Sequence, residues 1–84
     1  MYKILSANIE PSTFGGTHTT WNVQVNGVKY YISYQPFLPD IYDSETMAFR
    51  YDKQGNIDWT EVVSNNIENP DEAFVDIIRQ LEAL

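Results

Sequence analysis

The 84-residue chain contains no cysteine, which removes disulfide staples, thiolate metal sites and a cysteine nucleophile together. Stability has to come from packed side chains alone. There is one histidine, His18, and it stands among Thr17, Thr19 and Thr20 with no orienting partner in the sequence, so it reads as a surface or capping residue and not as a general base. Glycine is scarce, with four in the chain. The pair Gly15 and Gly16 lacks the spacing, the following lysine and the strand-to-helix setting of a phosphate loop, and is read as loop flexibility. Long apolar runs are missing too. "MYKILSANIE" is interrupted by Ser6 and Asn8, too short and too broken for a secretion signal, and no segment approaches the length of a membrane span. The expectation is a cytoplasmic protein without membrane attachment, cofactor or bound metal.

What is present is length for one domain, residues 1–84. A domain of that size buries only roughly 60 to 65% of the surface its unfolded chain exposes, which disfavours a deep substrate cavity. The net charge is -7 and unevenly spread. Through Pro39 the chain carries Lys3 and Lys29 against Glu10, a balance of +1. From Asp40 onward eleven acids face Arg50, Lys53 and Arg79, a balance of -8. Such a field repels phosphate backbones and anionic membranes and attracts basic surfaces. Direct nucleic-acid binding is therefore not expected.

Residues 2–9 alternate loosely, with Tyr2, Ile4 and Ser6 on one side and Lys3, Leu5, Ala7 and Ile9 on the other, the pattern of a strand with both faces partly covered. The clearest local signal is "TWNVQVNGVKYYISY". Asn26 and Gly27 suit the two positive φ angles of a type I′ turn, so Val25 should face Val28, Val23 Tyr30 and Trp21 Ile32 on an apolar side, with Gln24 facing Lys29 and Asn22 facing Tyr31 on the other. Pro36 and Pro39 close that strand. A second hairpin follows: "ETMAFRY", a "DKQGN" turn with Gly55 left-handed, and "IDWTEVV" returning. Its phase conflicts, because Ile57 and Trp59 share a side with Glu61 while Val62 and Val63 do not, and a bulge near Thr60 or Glu61 would repair it. "NPDEAFVDIIRQLEAL" is an amphipathic helix with Asn69 as N-cap and Pro70 at its first position, gathering Ala73, Phe74, Ile77, Ile78, Leu81 and Leu84 on one side. The expected architecture is α+β: an antiparallel sheet of about five strands, made of two hairpins and an N-terminal strand, with the C-terminal helix packed on one face. Trp21, Tyr30, Phe49, Trp59 and Phe74 are assigned inward positions.

Local structure accounts for several acids. Glu68, Asp71 and Glu72 favour the start of a helix, Asp52 opens a turn and Asp76 precedes Arg79 by three residues. It leaves Glu82 and, in or beside the second hairpin, Asp40, Asp43, Glu45, Asp58 and Glu61 without such a role. The five about the hairpin, with Tyr31, Tyr42 and Tyr51 as aromatic anchors, form the expected surface for a basic protein partner. Asp40, Asp43 and Glu45 miss the alternate spacing and glycine of a calcium loop, and Asp58 with Glu61 lacks the cleft that a glycosidase pair needs. Stacked bases on an exposed Tyr31 conflict with the acidic surplus.

"SETMAFRYDKQGNIDWTEV", followed by "NPDEAFVDIIRQL", resembles a group of small phage and prophage proteins of unknown role, whose pattern is E-T-M-x-F, a hairpin with a tryptophan or tyrosine, and an acidic helix beginning with E-A. The matching residues are Glu45, Thr46, Met47, Phe49, Trp59, Glu72 and Ala73; where members often carry a histidine in the final helix, this chain has Asp76, Ile77 and Ile78. The resemblance implies a mobile-element origin, and the size and charge are similar to those of anti-CRISPR proteins and other nucleic-acid mimics at the level of class. The expected function is that of a non-enzymatic acidic inhibitor of a basic, nucleic-acid-binding host protein. The alternative is a structural or accessory phage domain that self-associates, for instance as a homodimer, through a sheet edge and exposed tyrosines, its charge serving solubility.

Overall fold

The computed structural model describes residues 1–11, 17–36, 44–65 and 69–84, without the side chains of Ser44, Trp59, Thr60, Glu61, Ser64 and Asn65. Five strands, β1 (Tyr2–Pro11), β2 (Thr17–Val25), β3 (Val28–Pro36), β4 (Ser44–Tyr51) and β5 (Ile57–Asn65), precede one helix, α1 (Pro70–Glu82). The strands form an antiparallel meander in the order β1-β2-β3-β4-β5. The fold is therefore the expected α+β arrangement.

Asn26 and Gly27 take φ angles of 49° and 83°, and the turn they make sets the β2–β3 register as the sequence predicts: Val25 opposite Val28, Val23 opposite Tyr30, Trp21 opposite Ile32. Trp21, Val23, Val25, Tyr30 and Ile32 are buried in the core. The second hairpin has a bulge at the expected place, but it adds two residues and so leaves the alternation of sides unchanged. Phe49 pairs with Trp59 but its neighbour Ala48 pairs with Val62, so Thr60 and Glu61 are the extra residues of β5.

At the helix start the Asn69 side chain accepts a hydrogen bond of 2.8 Å from the Asp71 amide, and Pro70 occupies the first turn. Ala73, Phe74, Ile77, Ile78 and Leu81 are buried as expected. Leu84 is not: it lies beyond the last turn and is 78% exposed. Asp76 accepts from Gln80 at 3.0 Å, so it is held along the helix by that amide. The helix packs against β2, β3, β4 and β5, and the rings of Trp21 and Phe74 meet with centroids 4.8 Å apart.

One inward assignment changes. Ala48 pairs with buried Ile32 and is itself fully buried, as is Thr46, so the small side of β4 faces the helix. Phe49 pairs with Tyr31 on the opposite, open side of the sheet and is only half-buried. The physical reason is distance: a helix packed on a sheet needs short side chains beneath its axis, and β4 offers Thr46 and Ala48 for that, sending its bulky row outward. Trp59 is opposite Phe49, but its side chain lies outside the described set.

β1 also departs from expectation. Its pairing with β2 shifts between Ile4 and Ser6, so Tyr2, Ile4, Ala7 and Ile9, opposite Val25, Val23, Trp21 and Thr19, all share the helix side. A bulge at Leu5 has reversed the alternation. None of the ten residues is buried; a strand with both faces partly covered is overturned, because the helix lies over the other four strands and reaches β1 at its start, where Tyr2 and Phe74 meet edge to face at 5.8 Å.

Candidate functional site

The open side of the sheet is arranged in cross-strand rows. One runs Ser6, Asn22, Tyr31, Phe49, Trp59 and the next Asn8, Thr20, Ser33, Met47, Val63. Tyr31 and Phe49 stack in a tilted arrangement with centroids 6.1 Å apart, and the Tyr51 hydroxyl donates to Asn22 Oδ1 at 3.0 Å. Both tyrosines are half-buried. Two of the three tyrosines assigned as partner anchors are thus partly engaged with their own sheet.

Toward the two hairpin turns the rows become basic. Lys3, Gln24 and Lys29 form a row, and Lys29 and Lys53 line an open groove of about 990 Å³ with Gln24 and Tyr51. Arg50, on the other side of the sheet, makes a 2.5 Å ion pair with Asp58 in which both side chains are 50% exposed. That hydrogen bond first, and the carboxylate charge second, raise the guanidinium pKa above its ordinary value. An exposed pair of this kind contributes little stability. Toward the opposite end the rows become acidic: Glu10 faces His18, and Glu45 lies between Gln35 and Asn65. His18 Nε2 and Ser33 Oγ are 2.7 Å apart, which gives the histidine a structural partner on the sheet.

The expected partner surface is therefore not one patch. Glu45 is on the open side. Asp58 faces the other side, committed to Arg50, which stands five residues along β4 from Glu45, about 17 Å at the rise of a strand. Glu61 falls in the β5 bulge with its side chain outside the described set, and Asp40, Tyr42 and Asp43 lie in the β3–β4 connection, outside the described residues. The position of Asp58 has a simple cause. The turn between Tyr51 and Ile57 sets its register with Arg50, on the near side of the bulge, and this register puts Asp58 on the face opposite to Glu45.

Sequence reasoning missed the polarity of the molecule. Lys3, Lys29, Arg50 and Lys53, four of its five basic side chains, come from three strands and a turn and meet at one end of the sheet. The alternation of strand direction in a meander produces this: odd strands begin, and even strands end, at the same edge of the sheet. Asp52 at that end is held in its turn, accepting from the amides of Gln54 and Asn56 at 2.9 Å.

Among the described residues no group of three or more His, Cys, Asp or Glu is placed to hold a metal ion, and no helix is long and apolar enough to cross a membrane. No protein-family model matches the chain. Neither a curated protein nor a solved structure matches it.

Proposed function

We propose that the chain is a non-enzymatic binding module that engages a basic, nucleic-acid-binding protein through the acidic end of its sheet, acting in the cytoplasm as an inhibitor of phage or mobile-element origin. The observation that carries the reading is the separation of charge. Glu10 and Glu45 stand at one end, the helix start with Asp71 and Glu72 is only residues 66–68 removed from the end of β5, and the β3–β4 connection adds Asp40 and Asp43 in sequence. The basic side chains gather at the far end of a molecule 38 Å long. A partner with a cationic channel is steered to one end and repelled from the other, which orients the encounter as well as accelerating it. The resemblance to small phage proteins supports the origin, and the competition that follows from the electrostatics is with the partner's own nucleic acid.

The test compares three forms of the chain against the basic protein that copurifies with it. Exchanging Asp40, Asp43 and Glu45 for the neutral amides should weaken binding and flatten its salt dependence, while the same exchange at Asp71 and Glu72 should act mainly on the helix, at a few tenths to about 1 kcal/mol per charge. The parent should displace nucleic acid from its partner and the first variant should not. Equal affinity, equal salt slope and equal displacement in parent and first variant would refute the reading.

A further inference from the structure

We infer that β1 is a docking edge for a second copy of this chain, the two β1 strands pairing antiparallel so that the two sheets run on as one. The inference concerns a surface separate from the acidic end and stands independently of the proposed function.

Three observations meet on this strand. First, an edge strand presents a row of unpaired backbone N–H and C=O groups, and natural edges are normally short, charged or covered. β1 is ten residues long and none of them is buried. Second, its helix side is apolar and open: Tyr2 is 46% and Ile4 48% exposed, and Ile9 reaches 69%. The helix that covers the same side of the other four strands meets Tyr2 through the Phe74 ring and leaves Ile4 and Ile9 open. Third, the strand is electrically complementary to itself. Lys3 begins it with no ion-pair partner among the described residues; Glu10 ends it, linked to Asn8 by a 2.6 Å hydrogen bond from the Asn8 amide.

Antiparallel pairing in the register where residue numbers sum to 11 satisfies all three. On the helix side Tyr2 would face the partner copy's Ile9, and Ile4 its Ala7. On the open side Lys3 would face Asn8, with Glu10 as its diagonal neighbour, a spacing that long side chains bridge. In a regular strand an odd sum would place opposite residues on opposite faces. The shift between Ile4 and Ser6 removes that obstacle, since it puts Tyr2, Ile4, Ala7 and Ile9 on one side. The bulge therefore makes this strand self-complementary. A two-fold contact of this kind uses both β1 edges and closes, which distinguishes it from open-ended strand addition.

The experiment is sedimentation velocity from micromolar to millimolar concentration, together with amide hydrogen exchange. The parent should dimerise, and the β1 amides should exchange more slowly as concentration rises. Lys3→Glu and Glu10→Lys, both at exposed positions, should each weaken the dimer about tenfold, since two exposed pairs turn repulsive. An equimolar mixture of the two variants should regain parental affinity, because each heterodimer restores both opposite-charge pairs. Ile4→Lys with Ile9→Lys should leave a folded monomer. A parent that remains monomeric at millimolar concentration would overturn the inference. So would a dimer indifferent to Lys3→Glu, protection at the β5 edge in place of β1, or β1 protection seen only when a foreign extended peptide is added. Neutralising Asp40, Asp43 and Glu45 should leave dimerisation unchanged, so the two proposals fail separately.

Discussion

Replacing Thr46 by valine should stabilise the protein. Thr46 is fully buried beneath the helix, and its hydroxyl has no hydrogen-bond partner among the described residues. Holding an unpaired hydroxyl out of water costs about 1 to 3 kcal/mol on mutational scales. Valine has nearly the same shape, adds an apolar group where the hydroxyl was, and keeps the β-branched side chain that strands favour. Discounting for small repacking against the helix, the net gain should be about 1 to 2 kcal/mol, and each kcal/mol raises the melting temperature of a domain this size by roughly 4 to 8 °C. Differential scanning calorimetry or thermal circular dichroism on Thr46→Val measures it directly. Thr46→Ser separates the contributions: it keeps the orphan hydroxyl and loses a methyl group, and should cost about 1 kcal/mol. A Thr46→Val melting temperature equal to or below the parent's would show that the hydroxyl is bonded in solution and that the reasoning from burial is wrong.

Two further outcomes follow from the same layer. Ending the chain after Asn69 should abolish cooperative unfolding, because the loss of buried Phe74, Ile77, Ile78 and Leu81, at about 2 to 5 kcal/mol each, exceeds the whole stability of a small domain; a truncated chain with a sharp melt would show the helix to be dispensable. Ala48→Leu should destabilise by about 1 to 3 kcal/mol, because Ala48 is fully buried on the side of the sheet that the helix covers, and a neutral effect in urea denaturation would place free volume there.

The parts of this fold that were legible in the sequence are those decided by residues a few positions apart. Asn26 and Gly27 dictate a turn, and the turn dictates the β2–β3 register. Asn69 and Pro70 announce the helix start through a side chain two residues from the amide it caps. The place of the β5 bulge, near Thr60 and Glu61, was anticipated, but not its two-residue size, which leaves the alternation intact. What stayed hidden depends on elements meeting across the sheet. The bulk of Met47, Phe49 and Tyr51 suggests a core side, yet helix approach favours the small side with Thr46 and Ala48. The alternation of β1 is reversed at Leu5 by a bulge that leaves no phase conflict in so loosely patterned a strand. For the candidate site the acids were legible as a surplus, but their division into a paired Asp58 and a distant Glu45 was not, because it rests on a register that only the folded hairpin reveals.

The meander order has a consequence for how the protein is made. Each strand pairs with the one synthesised just before it, so the sheet can assemble in step with the emerging chain, needing only the closure of short loops. Its cover comes last: α1 follows all five strands and packs on four of them. Until the helix arrives, Trp21, Val23, Ile32 and Val62 stand as a bare apolar surface on a nearly finished sheet. A chain whose sheet has formed before its helix has docked is therefore the species most exposed to chaperones and to its neighbours.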